Sequence, residues 1–155
     1  MAAEFSDQVI WSAPIEFAQG VDPASVQIQV DVAGQVCKRV CMPLNETVVA
    51  RFSKYTTSVG KFASEHITLS GQIDKAEVKP GGKLTLTVSA KVVPDWHIYR
   101  REDSKAEDSI GPHPTFITFE KVAGFKVSPP KPSKEPVRTD SQLADVGDIL
   151  SLIHI

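Results

Sequence analysis

Cys37 and Cys41, separated by Lys38-Arg39-Val40, are the only cysteines among the 155 residues of this chain. Two sulfurs at this spacing can form a reversible redox bridge, a structural bridge or a soft-metal pair. A fully extended chain rises roughly 3.3 Å per residue, which would hold the two Cα atoms about 13 Å apart, whereas a disulfide needs them within about 7 Å. Bonding therefore requires the backbone to reverse between them. As a staple the bridge would be weak, because closing so few residues restricts the unfolded chain by about 2 kcal/mol, against nearer 4 kcal/mol for a long loop. Lys38 and Arg39 lie inside the loop, and cationic neighbours favour thiolate over thiol. These residues favour the redox reading, and the structural and metal readings stay open beside it.

Other chemistry-bearing residues give weaker signals. Met42, next to Cys41, and His97 would add soft or borderline ligands to the cysteines, so Cu(I) binding is an alternative. Glu102, Asp103 and Asp108 form a charge run that suits a solvated loop better than a carboxylate pair. Asn45-Glu46-Thr47 has the pattern of a glycosylation acceptor, a motif short enough to arise by chance.

The elements that must position the cysteines read as strands. Val26, Ile28, Val30 and Val32 alternate with polar neighbours before Cys37, and Val48, Val49 and Phe52 follow Cys41, which predicts two strands joined by a tight connection. Further strand signals cover Val9 to Trp11, Ile15 to Phe17, Ile67 to Ile73, Leu84 to Val93, Trp96 to Tyr99 and Phe116 to Phe119. Turn signals such as Asp22-Pro23, Lys79-Pro80-Gly81-Gly82 and Pro94-Asp95 punctuate them. Only Glu46 to Tyr55 and Gln142 to Leu152 are candidates for short helices. The pattern predicts an all-β sandwich, with the proline- and lysine-rich Val127 to Val137 as an extended surface loop. Segment Ser53 to Ser64, small and polar, reads as a connector between a part with the cysteines and a longer part without them.

Length and charge limit what the protein can do. The chain is long enough for one ordinary domain and too short for two of typical size. A net charge of −2 leaves no basic surplus for a phosphate backbone, so nucleic acid is not an expected partner. No apolar run approaches the roughly 20 residues that span a bilayer, and Met1-Ala2-Ala3-Glu4-Phe5 has neither the basic nor the apolar region of an export signal, so direct membrane insertion is not expected. The terminal Leu150-Ser151-Leu152-Ile153-His154-Ile155 reads as an appended tail.

The longer part contains Val78-Lys79-Pro80-Gly81-Gly82, an alternating strand from Lys83 to Val92, and Pro94-Asp95-Trp96-His97-Ile98-Tyr99-Arg100. This resembles the opening half of the amino-terminal, immunoglobulin-like domain of the thiol:disulfide interchange protein DsbD, with its proline-glycine turn, strand and aromatic WHIY-like motif. Val9-Ile10-Trp11-Ser12-Ala13-Pro14-Ile15, the strand Val26 to Val32 and Gly34-Gln35-Val36-Cys37 through Cys41-Met42-Pro43 resemble the closing half of that domain. The two halves stand in reverse order, and the cysteine loop is one or two residues shorter than is usual in the family.

What the resemblance implies is an immunoglobulin-like β-sandwich, permuted within one chain or completed by exchange of segments in a homodimer. Residues 8–52 would supply the closing half, 53–65 the connector, 66–140 the opening half and 141–155 the tail. It implies thiol-disulfide exchange through Cys37 and Cys41, with Cys41 the attacking thiol and Cys37 the resolver, and with Tyr99 and His97 shielding the sulfurs or contacting the partner. A covering loop would fall around Pro129 to Val137. The implied partners are thiol or disulfide proteins in the periplasm, served by a domain of a larger exported or membrane-anchored protein, with no cofactor and no metal. A non-catalytic immunoglobulin-like interaction module is the other reading compatible with the fold.

Overall fold

The computed structural model describes residues 2–52, 57–75, 77–100, 113–120 and 123–139. Among them the chain is nearly all β and packs as two sheets face to face, the sandwich that the alternating segments predict. In chain order the strands are β1 (Ala2–Ser6), β2 (Gln8–Phe17), β3 (Gln27–Cys37), β4 (Cys41–Phe52), β5 (Thr57–Val59), β6 (Lys61–Ala63) and β7 (Ile67–Ile73). They continue as β8 (Lys83–Val92), β9 (His97–Arg100), β10 (Pro114–Phe119), β11 (Phe125–Val127), β12 (Lys131–Pro132) and β13 (Val137–Thr139). One sheet runs β13-β1-β9-β10-β3-β4-β5, with β9 also pairing β3; the other runs β11-β2-β8-β7-β6, with β12 on the free side of β2.

Alternation fixes which face each strand buries. In β8, Leu84, Leu86, Val88, Ala90 and Val92 are buried, while Lys83 and Lys91 are exposed. In β2, Val9, Trp11, Ala13, Ile15 and Phe17 face the same core. The opposing sheet answers with Ile28, Val30, Val32 and Val36 of β3, Leu44, Val48 and Ala50 of β4, and Ile98 of β9. Each such side chain, fully removed from water, contributes roughly 1.5–3 kcal/mol, so this shared layer dominates the stability of the sandwich. Strands from before and after residues 53–65 are neighbours in both sheets, through β3–β9 and β3–β10 in one and β2–β8 in the other.

Several elements differ from the sequence reading. The signals at Val9 to Trp11 and Ile15 to Phe17 belong to one uninterrupted strand, β2, with Pro14 inside it. Pro14 is tolerated because its carbonyl accepts from Ser128 N on the side where β11 and β12 leave a gap, so the missing N–H faces the broken edge and not β8. The helix considered over Glu46 to Tyr55 is strand as far as Phe52, held by continuous pairing of β4 with β3. The rest of that segment, and all of Gln142 to Leu152, lie outside the described residues. The connector also contains structure: β5 ends one sheet and β6 ends the other, with Gly60 between them, its amide donating to Val49 O.

A second change of sheet occurs at the start of the chain. β1 lies in the cysteine-bearing sheet and β2 in the other, and Asp7 between them takes a left-handed φ of 62°. Its carbonyl accepts from Val92 N, and Phe5 meets Trp11 edge-on at 6.0 Å, which ties the two sheets together at this corner. Of the surface loop at Val127 to Val137, three places pair, with Val127 opposite Ile15, Lys131 opposite Ser12 and Val137 opposite Glu4.

Candidate functional site

β3 and β4 form a long hairpin whose last register pair is Cys37 with Cys41. The reversal is closed by Lys38 N donating to Val40 O at 3.2 Å. That turn brings the two Cα atoms to 4.1 Å, and the sulfurs are bonded to each other. The reversal that the sequence requires for bonding is therefore present, and it occupies the three residues between the cysteines.

The tip has one protected and one accessible sulfur residue. Cys37 is 1% exposed, whereas Cys41 is half-buried and flanked by two exposed apolar side chains, Val40 at 67% and Met42 at 44%. Lys38 points away from this chemistry: its Nζ meets Asp95 Oδ2 at 3.0 Å, joining the tip to the turn before β9. Of the two loop cations expected to favour the thiolate, Lys38 is thus already paired, and Arg39 lies on the exposed tip.

β9 runs beside the hairpin. Val36 pairs with Ile98 and Cys37 with His97, so two residues from distant parts of the sequence stand directly opposite each other. β10 pairs with β3 only from Phe116 opposite Ala33 to Phe119 opposite Val30, and β9 takes its place beyond Gly34. Gly34 is needed at this junction. A Cβ there would lie 3.0 Å from Thr115 Cα and 3.1 Å from the Pro114 carbonyl, both of them backbone.

β1 covers the other side of β9, with Glu4 opposite Tyr99, Phe5 opposite Ile98 and Ser6 opposite His97. Alternation puts Phe5, Ile98 and Val36 toward the core and Glu4, His97, Tyr99 and Cys37 on the opposite face. On that face His97 Nε2 lies 2.8 Å from the Tyr99 hydroxyl and 3.5 Å from Glu4 Oε2. The rings of His97 and Tyr99 meet edge-on at 5.0 Å. Burial, and then the Glu4 carboxylate, push the Tyr99 phenol above its ordinary value, so it stays neutral.

The structure thus gathers Cys37, Cys41, His97 and Tyr99 at one end of one sheet. Trp96, the remaining aromatic of the motif, packs partly into the core and stacks on His66 at 3.9 Å. The segment expected to cover the cysteines lies elsewhere: Ser133 N donates to Ile10 O and Lys134 Nζ to Ser6 O, and β13 is separated from β3 by β1 and β9. Glu4 and the pairing of Lys38 with Asp95 are not evident from sequence. Glu4 comes from a strand without β-branched residues, and the Lys38–Asp95 pair exists only through the fold.

Among the described residues no group of three His, Cys, Asp or Glu side chains is arranged to hold a metal ion, and no helix is long and apolar enough to cross a membrane. Comparison with protein-family models, with curated proteins and with solved structures yields no match.

Proposed function

We propose that this domain carries out thiol-disulfide exchange, passing reducing equivalents to oxidised partner proteins through Cys37 and Cys41. The observation that carries the reading is the asymmetry of the hairpin tip, where Cys41 is half-buried beside exposed Val40 and Met42 and Cys37 is buried next to the neighbouring strand β9. A relay needs one sulfur that a partner can reach and a second, close by and protected, that resolves the mixed disulfide. A structural bridge has no need of either feature, and this one closes so short a loop that it adds little as a staple.

In the reducing direction, the Cys41 thiolate attacks one sulfur of the partner's disulfide, forms a mixed disulfide and releases the other partner sulfur as thiolate. Cys37, after losing its proton, attacks the Cys41 sulfur, which closes the Cys37–Cys41 bond and releases the second partner sulfur. Two electrons pass from the pair to the partner, and another thiol protein restores the reduced pair. An oxidising compartment such as the periplasm is where such a supply of reductant has work to do. Exposed Val40 and Met42 would seat an extended partner segment against Cys41.

Equilibration with glutathione or dithiothreitol buffers tests the reading. A potential above about −300 mV is expected, with Cys41→Ser abolishing exchange with a model disulfide; a potential below about −300 mV overturns it in favour of an inert bridge.

A further inference from the structure

Closure of the Cys37–Cys41 bond requires a group that takes the Cys37 proton. Cys37 is buried, and a buried thiol is a poor nucleophile until something takes its proton. His97 is the titratable side chain in register with it across β3 and β9. A histidine can serve only if one ring nitrogen is free to accept a proton, and this depends on the partner of the other nitrogen.

His97 Nε2 faces Glu4 Oε2 at 3.5 Å and the Tyr99 hydroxyl at 2.8 Å. A carboxylate has no proton to donate, so the nitrogen it faces is favoured as N–H. Tyr99, held neutral, can accept from that same N–H without competing for the charge. Among the described residues the other groups around His97 do not offer a second anion: Ser6 of β1 is opposite it, with its carbonyl taken by Lys134, and Asp95 in the turn before β9 is paired with Lys38. Glu4 and His97 side chains are each about four-fifths shielded from solvent, at 19% exposure, which limits screening of the pair.

We propose that Glu4 is a positioning residue that holds His97 with its proton on Nε2, leaving Nδ1 to accept the thiol proton of Cys37 as Cys37 closes onto Cys41. The inference rests on the exchange reading above. The balance is simple: the S–H bond of Cys37 breaks, Nδ1–H forms, the Cys37 electron pair makes the new S–S bond, and the partner's sulfur leaves as thiolate. The imidazolium then returns its proton to that thiolate or to water, and Glu4 stabilises the cation while it lasts. No oxidant beyond the partner disulfide is required.

The test follows the mixed disulfide between the reduced protein and oxidised glutathione by acid quenching and mass spectrometry, in the wild type, Glu4→Gln and His97→Gln. Formation of the mixed disulfide is measured in each variant as the reference against which its resolution is read. Its resolution should slow about 10-fold or more in Glu4→Gln and further in His97→Gln, which also loses the part of the pH profile owed to the imidazole. Independently of any variant, long-range nitrogen NMR of the wild-type imidazole should show the proton on Nε2. Resolution at the wild-type rate in Glu4→Gln, or a proton on Nδ1, overturns the inference and leaves the exchange reading intact. A wild type that never forms the mixed disulfide overturns both.

Discussion

Cys37 and His97 face each other as a register pair between β3 and β9, although they come from opposite sides of the residue 53–65 segment. The pairing follows from the way β10 and β9 share one edge of β3: β10 occupies it as far as Ala33, and β9 occupies it at Val36 and Cys37. A strand that arrives so late in the chain therefore flanks the buried cysteine that ends the early hairpin. Among the described residues Cys41, on the other strand of the tip, has no such neighbour in the sheet, and β4 pairs onward with β5 through Ala50 to Phe52.

This difference should be read directly by alkylation. After reduction, iodoacetamide is expected to label Cys41 about 10-fold or more faster than Cys37, because reaction requires an accessible thiolate. Peptide mass mapping at short times measures both rates in one sample. Equal labelling would mean that β9 leaves the hairpin when the disulfide opens.

Ile98 is fully buried between Phe5 of β1 and Val36 of β3, its register partners on either side. Ile98→Ala removes a branched side chain from the point where strands from both parts of the chain meet, and should cost about 2–5 kcal/mol. Urea unfolding followed by fluorescence and by circular dichroism should show one transition with a lower midpoint and an unchanged slope. Two separated transitions would show that the parts fold independently.

Sequence conveyed the architecture better than the boundaries. β7 and β8 were legible because one face of each is apolar and the turns beside them are explicit, as at Lys79-Pro80-Gly81-Gly82. Glu46 to Tyr55 reads both ways, since Val48, Val49 and Phe52 fit a helical face nearly as well as a strand, and what decides for strand is the pairing of Glu46 to Arg51 with β3. β1 was missed because Ala2-Ala3-Glu4-Phe5 has no intrinsic strand preference and is extended only by the strands that flank it. The same holds at the site. The cysteine pair, His97 and Tyr99 are recognisable by type and spacing, but Glu4 acquires meaning only when the sheet places it at His97 Nε2.

Gly34 should be intolerant of even a methyl group. Its missing Cβ makes room for the backbone of Pro114 and Thr115, and backbone cannot swing aside as a flexible side chain can. Gly34→Ala should destabilise the protein by about 1–3 kcal/mol and loosen the junction where β10 hands over to β9. Thermal unfolding gives the first quantity, and faster alkylation of Cys37 in the reduced variant reports the second. A variant as stable as the wild type would show that β10 can retreat without cost.

Tyr99 should limit stability in alkali. Its hydroxyl is buried beside the Glu4 carboxylate, and both raise its pKa in the folded state above the usual value near 10. The unfolded chain therefore gives up this proton first. Stability from the neutral phenol is fully present below about pH 10 and is lost as pH rises from there through the folded pKa, the direction required when the folded state binds the proton more tightly. Urea midpoints measured from about pH 8 to about pH 11 should fall more steeply in the wild type than in Tyr99→Phe. At neutral pH the variant should be less stable by about 0.5–1.5 kcal/mol, since it gives up the hydrogen bond to His97. Identical alkaline slopes in the two proteins would place the Tyr99 hydroxyl in contact with solvent, and would remove the neutral acceptor that the Glu4–His97 arrangement relies on.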